Sequence, residues 1–169
     1  MPILIEKEFN KLKNYISKYG IDIVKCKFQS TFPWKSDLVI PSKNSRGKIF
    51  LYLKVKDSIS DRILLTGNIL GQYLNYLENR EHLKYVNIFN LVNYNNFIDV
   101  DEYKKFYKIN LLANKKRDNV FKLLKINIDK RFYKIENIIS QYIYDYVINN
   151  NKYISQYELS EFLKEIKEK

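Results

Sequence analysis

The sequence predicts an α/β fold in which a central mixed sheet is flanked by helices. Two observations support this prediction. The first half of the chain alternates helical and β-branched segments in the order α-β-β-β-α-β, whereas the second half has mainly helical spacing. With 4 Gly and 3 Pro in 169 residues, long flexible linkers are not expected. We therefore predict an α/β core over residues 1–100 and a basic, helical C-terminal extension over residues 101–169, packed on the core.

The first four elements are predicted from spacing and turn residues. Residues 4–19 carry apolar side chains every three or four positions, and Gly20 is suited to end such a helix. Residues 21–28 are β-branched and alternate in their second half, as in a strand. Residues 37–40 and 48–56 are predicted to form a hairpin, because a cluster of turn formers lies between them.

The later elements are predicted by the same criteria. Residues 61–79 have helical spacing, and the apolar, β-branched run of residues 85–92 predicts a fourth strand. Residues 121–128 fit either a strand or a helix. Further helices are expected over residues 101–107, 135–148 and 155–169, the last of which begins with a capping-box sequence.

The charge of the chain favours a polyanionic partner. The net charge is +11, and residues 104–134 contain eleven basic residues against two acidic ones. Aromatic residues are interleaved with these bases, a combination suited to phosphate contacts and base stacking. A mutational bias toward lysine codons, with the aromatic residues in a core, is the alternative. We predict that ten basic residues bind nucleic acid: Lys104, Lys105, Lys108, Lys115, Lys116, Arg117, Lys122, Lys125, Lys130 and Arg131.

Three further features of the sequence indicate where in the cell the protein is found. No apolar run approaches the roughly 20 residues that cross a bilayer. The first seven residues are charged too early for a secretory signal. The single cysteine, Cys26, cannot form an internal disulfide, which favours a reducing environment. We therefore predict a cytoplasmic protein without a membrane partner, and the sequence leaves open a homodimer or a larger complex.

Five residues carry a motif that resembles a known family. Asp37 opens the second predicted strand, and Lys54-Val55-Lys56 closes the third. Gln72 and Tyr76 lie four residues apart on the next helix, where their side chains share a face. In this element order, the residues resemble the PD-(D/E)XK nuclease superfamily, and Gln-x-x-x-Tyr is similar to its RecB-like branch. The resemblance covers residues 6–92 and implies a restriction-endonuclease-like core.

The resemblance also implies a chemistry. Asp37 would bind Mg²⁺ or Mn²⁺ and Lys56 would polarise the attacking water, with Lys54, Gln72 and Tyr76 in the catalytic site. The chain departs from the family where Lys54 replaces a carboxylate, because Mg²⁺ prefers carboxylate oxygens. Glu6 is the metal ligand that we predict in its place, with Glu8 and Asp57 as alternatives.

Two functions follow from these expectations. The first is a nucleic-acid-binding protein, with DNA favoured over RNA, that could act as a Mg²⁺-dependent endonuclease or exonuclease. The second is a non-catalytic interaction protein, such as an accessory subunit, a ribonucleoprotein component or a phage-type inhibitor. Each site residue also has a structural interpretation: Asp37 could cap a loop, the lysines could lie on an edge strand, and Tyr76 could pack in the core.

Overall fold

The computed structural model describes residues 6–27, 36–39, 47–53, 59–85, 88 and 91–168. Most of the described residues are helical. The α-helices are α1 (Glu6–Ser17), α2 (Ile59–Glu78), α3 (Val100–Leu123), α4 (Lys130–Asn150) and α5 (Gln156–Glu168). Short 3-10 helices span Arg80–Tyr85 and Tyr94–Asn96. Among the described residues, no helix has the length and apolar character needed to span a membrane.

A small sheet precedes α2. Its strands are β1 (Ile21–Lys27), β2 (Ser36–Val39) and β3 (Gly47–Leu53), in the order β1-β3-β2. β1 runs parallel to β3, with Ile21 opposite Gly47, and β2 runs antiparallel to β3. These strands overlap the three segments predicted from spacing and turn residues, although β2 and β3 each begin one residue before the predicted segment.

The predicted fold class is wrong, because the chain is mostly helical and is not an α/β fold built on a central mixed sheet. The fourth strand is missing from the described part of residues 85–92. Tyr85 ends a 3-10 helix, Ile88 is also helical, and Val92 forms only an isolated bridge with Ile98. Of the apolar side chains that suggested a strand, Ile88, Leu91 and Val92 are instead packed in a core that includes residues of α3 and α4.

The chain divides into two compact units. Unit 1 comprises residues 1–79 and 112–127, and unit 2 comprises residues 80–111 and 128–169. The first half of α3 therefore belongs to unit 2 and its second half to unit 1, whereas the sequence-based division falls at residue 100. Unit 1 contains 18 Lys and Arg against 8 Asp and Glu, so it carries +10 of the net charge of +11.

Unit 1 is built on close helix packing. The buried residues of α1 follow the spacing i, i+3, i+7, namely Phe9, Leu12 and Ile16. Helices α1 and α2 contact each other and the sheet. The main chains of α2 and α3 lie close together at Gly71, where a Cβ atom would lie 3.1 Å from the carbonyl carbon of Ala113. This approach leaves no room for a larger residue.

Unit 2 has a separate core. Ile88, Ile98, Tyr103 and Val147 are buried together. Helices α4 and α5 are joined by the stacked rings of Tyr142 and Phe162, whose centroids lie 3.7 Å apart. The side chain of Asp99 accepts hydrogen bonds from the first backbone N–H groups of α3, which caps the helix.

Glu102, in the first turns of α3, makes the stability of unit 2 depend on pH. Its carboxylate accepts bonds from Lys84 Nζ at 2.8 Å and from the hydroxyl of Tyr85 at 2.9 Å. These bonds, with that from Lys84 as the largest cause, lower the pKa of Glu102 to about 2. The unfolded chain has the ordinary Glu pKa of about 4.3. The carboxylate therefore stabilises the fold above about pH 4.3, and this contribution is lost as the pH falls toward 2.

We expect Glu102→Gln to lower the melting temperature at pH 6, with a difference from wild type that narrows as the pH approaches 2. Circular-dichroism melts of both proteins between pH 6 and pH 2 measure this difference. A constant difference across that range would contradict the role given to the ionised carboxylate.

Candidate functional site

The residues that the nuclease resemblance singled out around the sheet are described only in part. Asp37 lies in β2, opposite Phe50 of β3, and its backbone alone is described. Lys54, Lys56 and Asp57 lie outside the described residues. The convergence of these side chains on one site therefore stays a prediction.

Gln72 and Tyr76 lie on α2 and can be located fully. Tyr76 is buried, and its ring packs 6.2 Å from the ring of Tyr73 in the core of unit 1. The Oε1 atom of Gln72 is buried and has no hydrogen-bond partner among the described residues. The position of Tyr76 agrees with its structural interpretation as a packing residue. The predicted catalytic role of both residues stays untested.

The predicted metal ligand Glu6 is exposed in the first turn of α1. Its neighbour Glu8, one of the alternatives, pairs with Lys11 at 3.2 Å. Within the described ranges, no three His, Cys, Asp or Glu side chains come together in a group that could hold a metal ion. Binding of Mg²⁺ or Mn²⁺ through Glu6 and Asp37 therefore stays a prediction.

The basic residues differ in how available they are. The side chain of Arg117 is only 1% exposed, with Nε bound to Asp118 Oδ1 at 2.9 Å and Nη1 bound to Asn68 Oδ1 at 2.5 Å. These contacts hold the guanidinium inside unit 1, so Arg117 is not included among the residues that we propose to contact a phosphate. Lys116 forms an ion pair with Glu78 at 2.5 Å.

In unit 1, the second half of α3 leaves other lysines accessible. Lys115 and Lys122 are exposed and form no ion pair with any described residue. They are seven residues apart, so they lie on one face of the helix about 10 Å from each other along its axis. Asp118 lies between them, but the buried Arg117 binds its carboxylate. Lys125, just beyond the helix, is also exposed.

The other predicted binding residues belong to unit 2. Lys104, Lys105 and Lys108 are exposed on α3, and Lys105 lies 3.5 Å from Glu102. At the start of α4, Lys130 and Arg131 are exposed, and Arg131 pairs with Asp129 at 2.7 Å. Because unit 2 carries a net charge of only +1, its basic residues are largely offset by acidic ones.

A cavity of about 360 Å³ lies in unit 1, beside the lysines of α3. Its walls are mainly apolar, and they also include two tyrosine rings, one amide and one ion pair. The lining residues are Tyr15, Tyr19, Leu74, Leu77, Glu78, Lys116, Asn119, Val120 and Leu123. The cavity is therefore suited to a ligand with an apolar body and a few polar groups.

The two tyrosines at this cavity contact each other through their hydroxyls and their rings. The hydroxyls of Tyr15 and Tyr19 are 3.4 Å apart, and their rings meet edge to face. The hydrogen bond to Tyr19, with smaller contributions from burial, raises the pKa of Tyr15 to about 12. The hydroxyl of Tyr15 therefore stays protonated at neutral pH.

No pattern in the sequence predicts this cavity. On α3 its residues 116, 119, 120 and 123 follow helical spacing, but the neighbouring lysines and Arg117 obscure that pattern. The other walls come from the end of α1 with the turn that follows it and from the end of α2, which are distant in sequence. No signal in the sequence brings these three segments together.

Comparisons with known proteins add no family to this description. A scan against protein-family models and searches of curated proteins and of solved structures find no match to the chain. The resemblance to the PD-(D/E)XK superfamily stays a prediction, and the α/β core that it implied is wrong.

Proposed function

We propose that the protein binds nucleic acid, with DNA as the expected form, through the lysines of the second half of α3. The observation that supports this most directly is the pair Lys115 and Lys122, exposed on one helix face without an ionic partner among the described residues. Unit 1, to which they belong, carries a net charge of +10. An uncompensated positive surface of this kind favours polyanions.

The expected mode of binding is electrostatic. Each lysine that contacts a phosphate releases condensed counterions, so affinity falls as the salt concentration rises. Lysine ammonium groups act as point charges and do not read a sequence. The proposal is limited to binding, because Lys54 stands where the nuclease family has its second carboxylate.

A pair of double variants with equal charge tests the proposal. Lys115→Gln with Lys122→Gln removes the proposed contacts, whereas Lys7→Gln with Lys152→Gln removes two exposed lysines elsewhere. Both double variants carry the same net charge. We expect the first to weaken binding of a fluorescently labelled DNA oligonucleotide about tenfold at low salt, through the loss of two phosphate contacts. The second is expected to change the affinity by less than about twofold.

Fluorescence anisotropy titrations of wild type and both double variants measure these affinities. Equal weakening by the two double variants would show that only total charge matters, and would contradict a binding face on α3. Absence of binding by the wild-type protein would overturn the proposed function.

A further inference from the structure

We propose that the cavity of unit 1 accepts an unstacked nucleobase of the bound strand, so that the protein prefers single-stranded nucleic acid to duplex. This inference rests on the proposed function and names its substrate class. The cavity is the space of about 360 Å³ lined by the end of α1, the turn that follows it, the end of α2 and the second half of α3.

The geometry of α3 brings the phosphate contacts to the edge of the cavity. Lys116 and Leu123 line the cavity, and Lys115 and Lys122 each precede one of them by a single residue. One residue corresponds to a rotation of about 100° around a helix axis. A strand whose phosphates contact the two exposed lysines therefore runs along the rim of the cavity, with its bases free to turn inward.

The walls of the cavity match the chemistry of a base. The rings of Tyr15 and Tyr19 and the side chains of Leu74 and Leu77 supply the flat and apolar surfaces on which a base can pack. Asn119 is exposed, and its side chain makes no hydrogen bond to any described residue. Its amide offers both a donor and an acceptor to the edge of a base.

The charges at the rim favour a base over a phosphate inside the cavity. Glu78 and Lys116 pair with each other, so the cavity itself has little net charge. A phosphate placed there would approach the Glu78 carboxylate, whereas a neutral base would not. The charged part of the ligand is therefore held outside, by Lys115 and Lys122.

Strand preference follows from the cost of freeing a base. In a duplex, a base must be unstacked and unpaired before it can enter a pocket, which costs free energy. A single strand supplies the base at lower cost, and each base stacked on an aromatic side chain strengthens binding. The cavity should therefore contribute to binding of single strands and little to binding of duplex.

A variant that fills the cavity tests this inference. Leu77 lines the cavity and is 37% exposed, so Leu77→Trp can occupy the space without repacking a buried position. The matched control is Ile138→Trp on α4, at a position of similar exposure, 40%, in unit 2. Asn119→Ala is a second test variant that leaves the apolar walls intact.

We expect Leu77→Trp to weaken binding of a single-stranded oligonucleotide about fivefold or more, and Asn119→Ala to weaken it measurably. Both should leave binding of the matching duplex within about twofold of wild type, and Ile138→Trp should change neither. Wild-type binding that depends on salt but is unaffected by Leu77→Trp and Asn119→Ala would overturn this inference and leave the proposed function standing. Equal loss on single strand and duplex would also overturn it. Failure of the wild-type protein to bind either substrate would overturn both.

Discussion

Gly71→Ala is expected to lower the free energy of unfolding by about 2 kcal/mol. The added methyl group would meet the carbonyl oxygen of Ala113 at less than contact distance, and would lie 3.1 Å from Arg117 Cβ. A backbone carbonyl cannot rotate away as a side chain can, so the main chain of α3 must move. At a helix position without this contact, alanine would stabilise the protein by about 1 kcal/mol relative to glycine.

Urea denaturation followed by circular dichroism measures the effect, with Gly67→Ala as the matched variant. At Gly67 the nearest atoms belong to the Phe121 ring, including Cε1 at 2.8 Å, and not to the backbone. We therefore expect a smaller loss of stability at Gly67 than at Gly71. A Gly71→Ala protein that is more stable than wild type would contradict the close approach of α2 and α3.

Arg117→Ala is expected to cost about 2–4 kcal/mol of stability. The substitution removes a fully buried side chain and leaves a cavity against α2. It also removes the charged hydrogen bonds to Asn68 and Asp118. Asp118 is 42% exposed, so water can solvate its carboxylate and limits that part of the loss.

The exposed Lys115, two residues earlier, provides the control for Arg117. Lys115→Ala should change stability by less than about 0.5 kcal/mol and should weaken binding to DNA. Arg117→Ala should lower stability and leave the affinity for DNA unchanged, when that affinity is measured at a temperature where the variant is folded. If the alanine variant does not fold, Arg117→Met, which keeps most of the apolar volume, takes its place. If a folded Arg117 variant lost affinity for DNA while its stability was unchanged, Arg117 would be inferred to contact DNA. That result would contradict its structural role.

The sequence was informative where a local pattern determines the structure. α1 was predicted because Phe9, Leu12 and Ile16 repeat at helical spacing and Gly20, with a φ of 70°, follows the helix. The prediction of a fourth strand was wrong because a short apolar run does not distinguish a strand from another buried segment. Ile88 is buried with Tyr103 and Val147 in the core of unit 2 and does not belong to a strand.

The extent of α3 was underestimated for a related reason. Residues 101–107 were predicted as a helix, whereas α3 continues to Leu123. The buried positions of its second half, Ala113, Arg117, Val120 and Phe121, follow helical spacing, but an arginine occupies one of them. Because arginine is almost never fully buried, the pattern does not indicate that this position faces the core.

The positive charge of the candidate site is the only one of its properties that the sequence predicts. The excess of lysine between residues 104 and 134 is visible in the sequence. The sequence does not show which of these basic side chains are exposed and which are buried or held in ion pairs. Lys116 pairs with a residue of α2, and Arg117 is buried, whereas Lys115 and Lys122 stay exposed. Such differences arise from contacts between distant segments, which local spacing does not report.

The salt dependence of DNA binding tests the central claim most directly. Affinities of the wild-type protein and of the variant that combines Lys115→Gln with Lys122→Gln are measured for one single-stranded oligonucleotide over a range of salt concentrations. Each phosphate contact to a single strand contributes about 0.7 to the slope of log affinity against log salt. Loss of two contacts should therefore make the slope of the double variant shallower by about 1.4. Equal slopes for the two proteins, or an affinity that does not change with salt, would contradict binding through this face of α3.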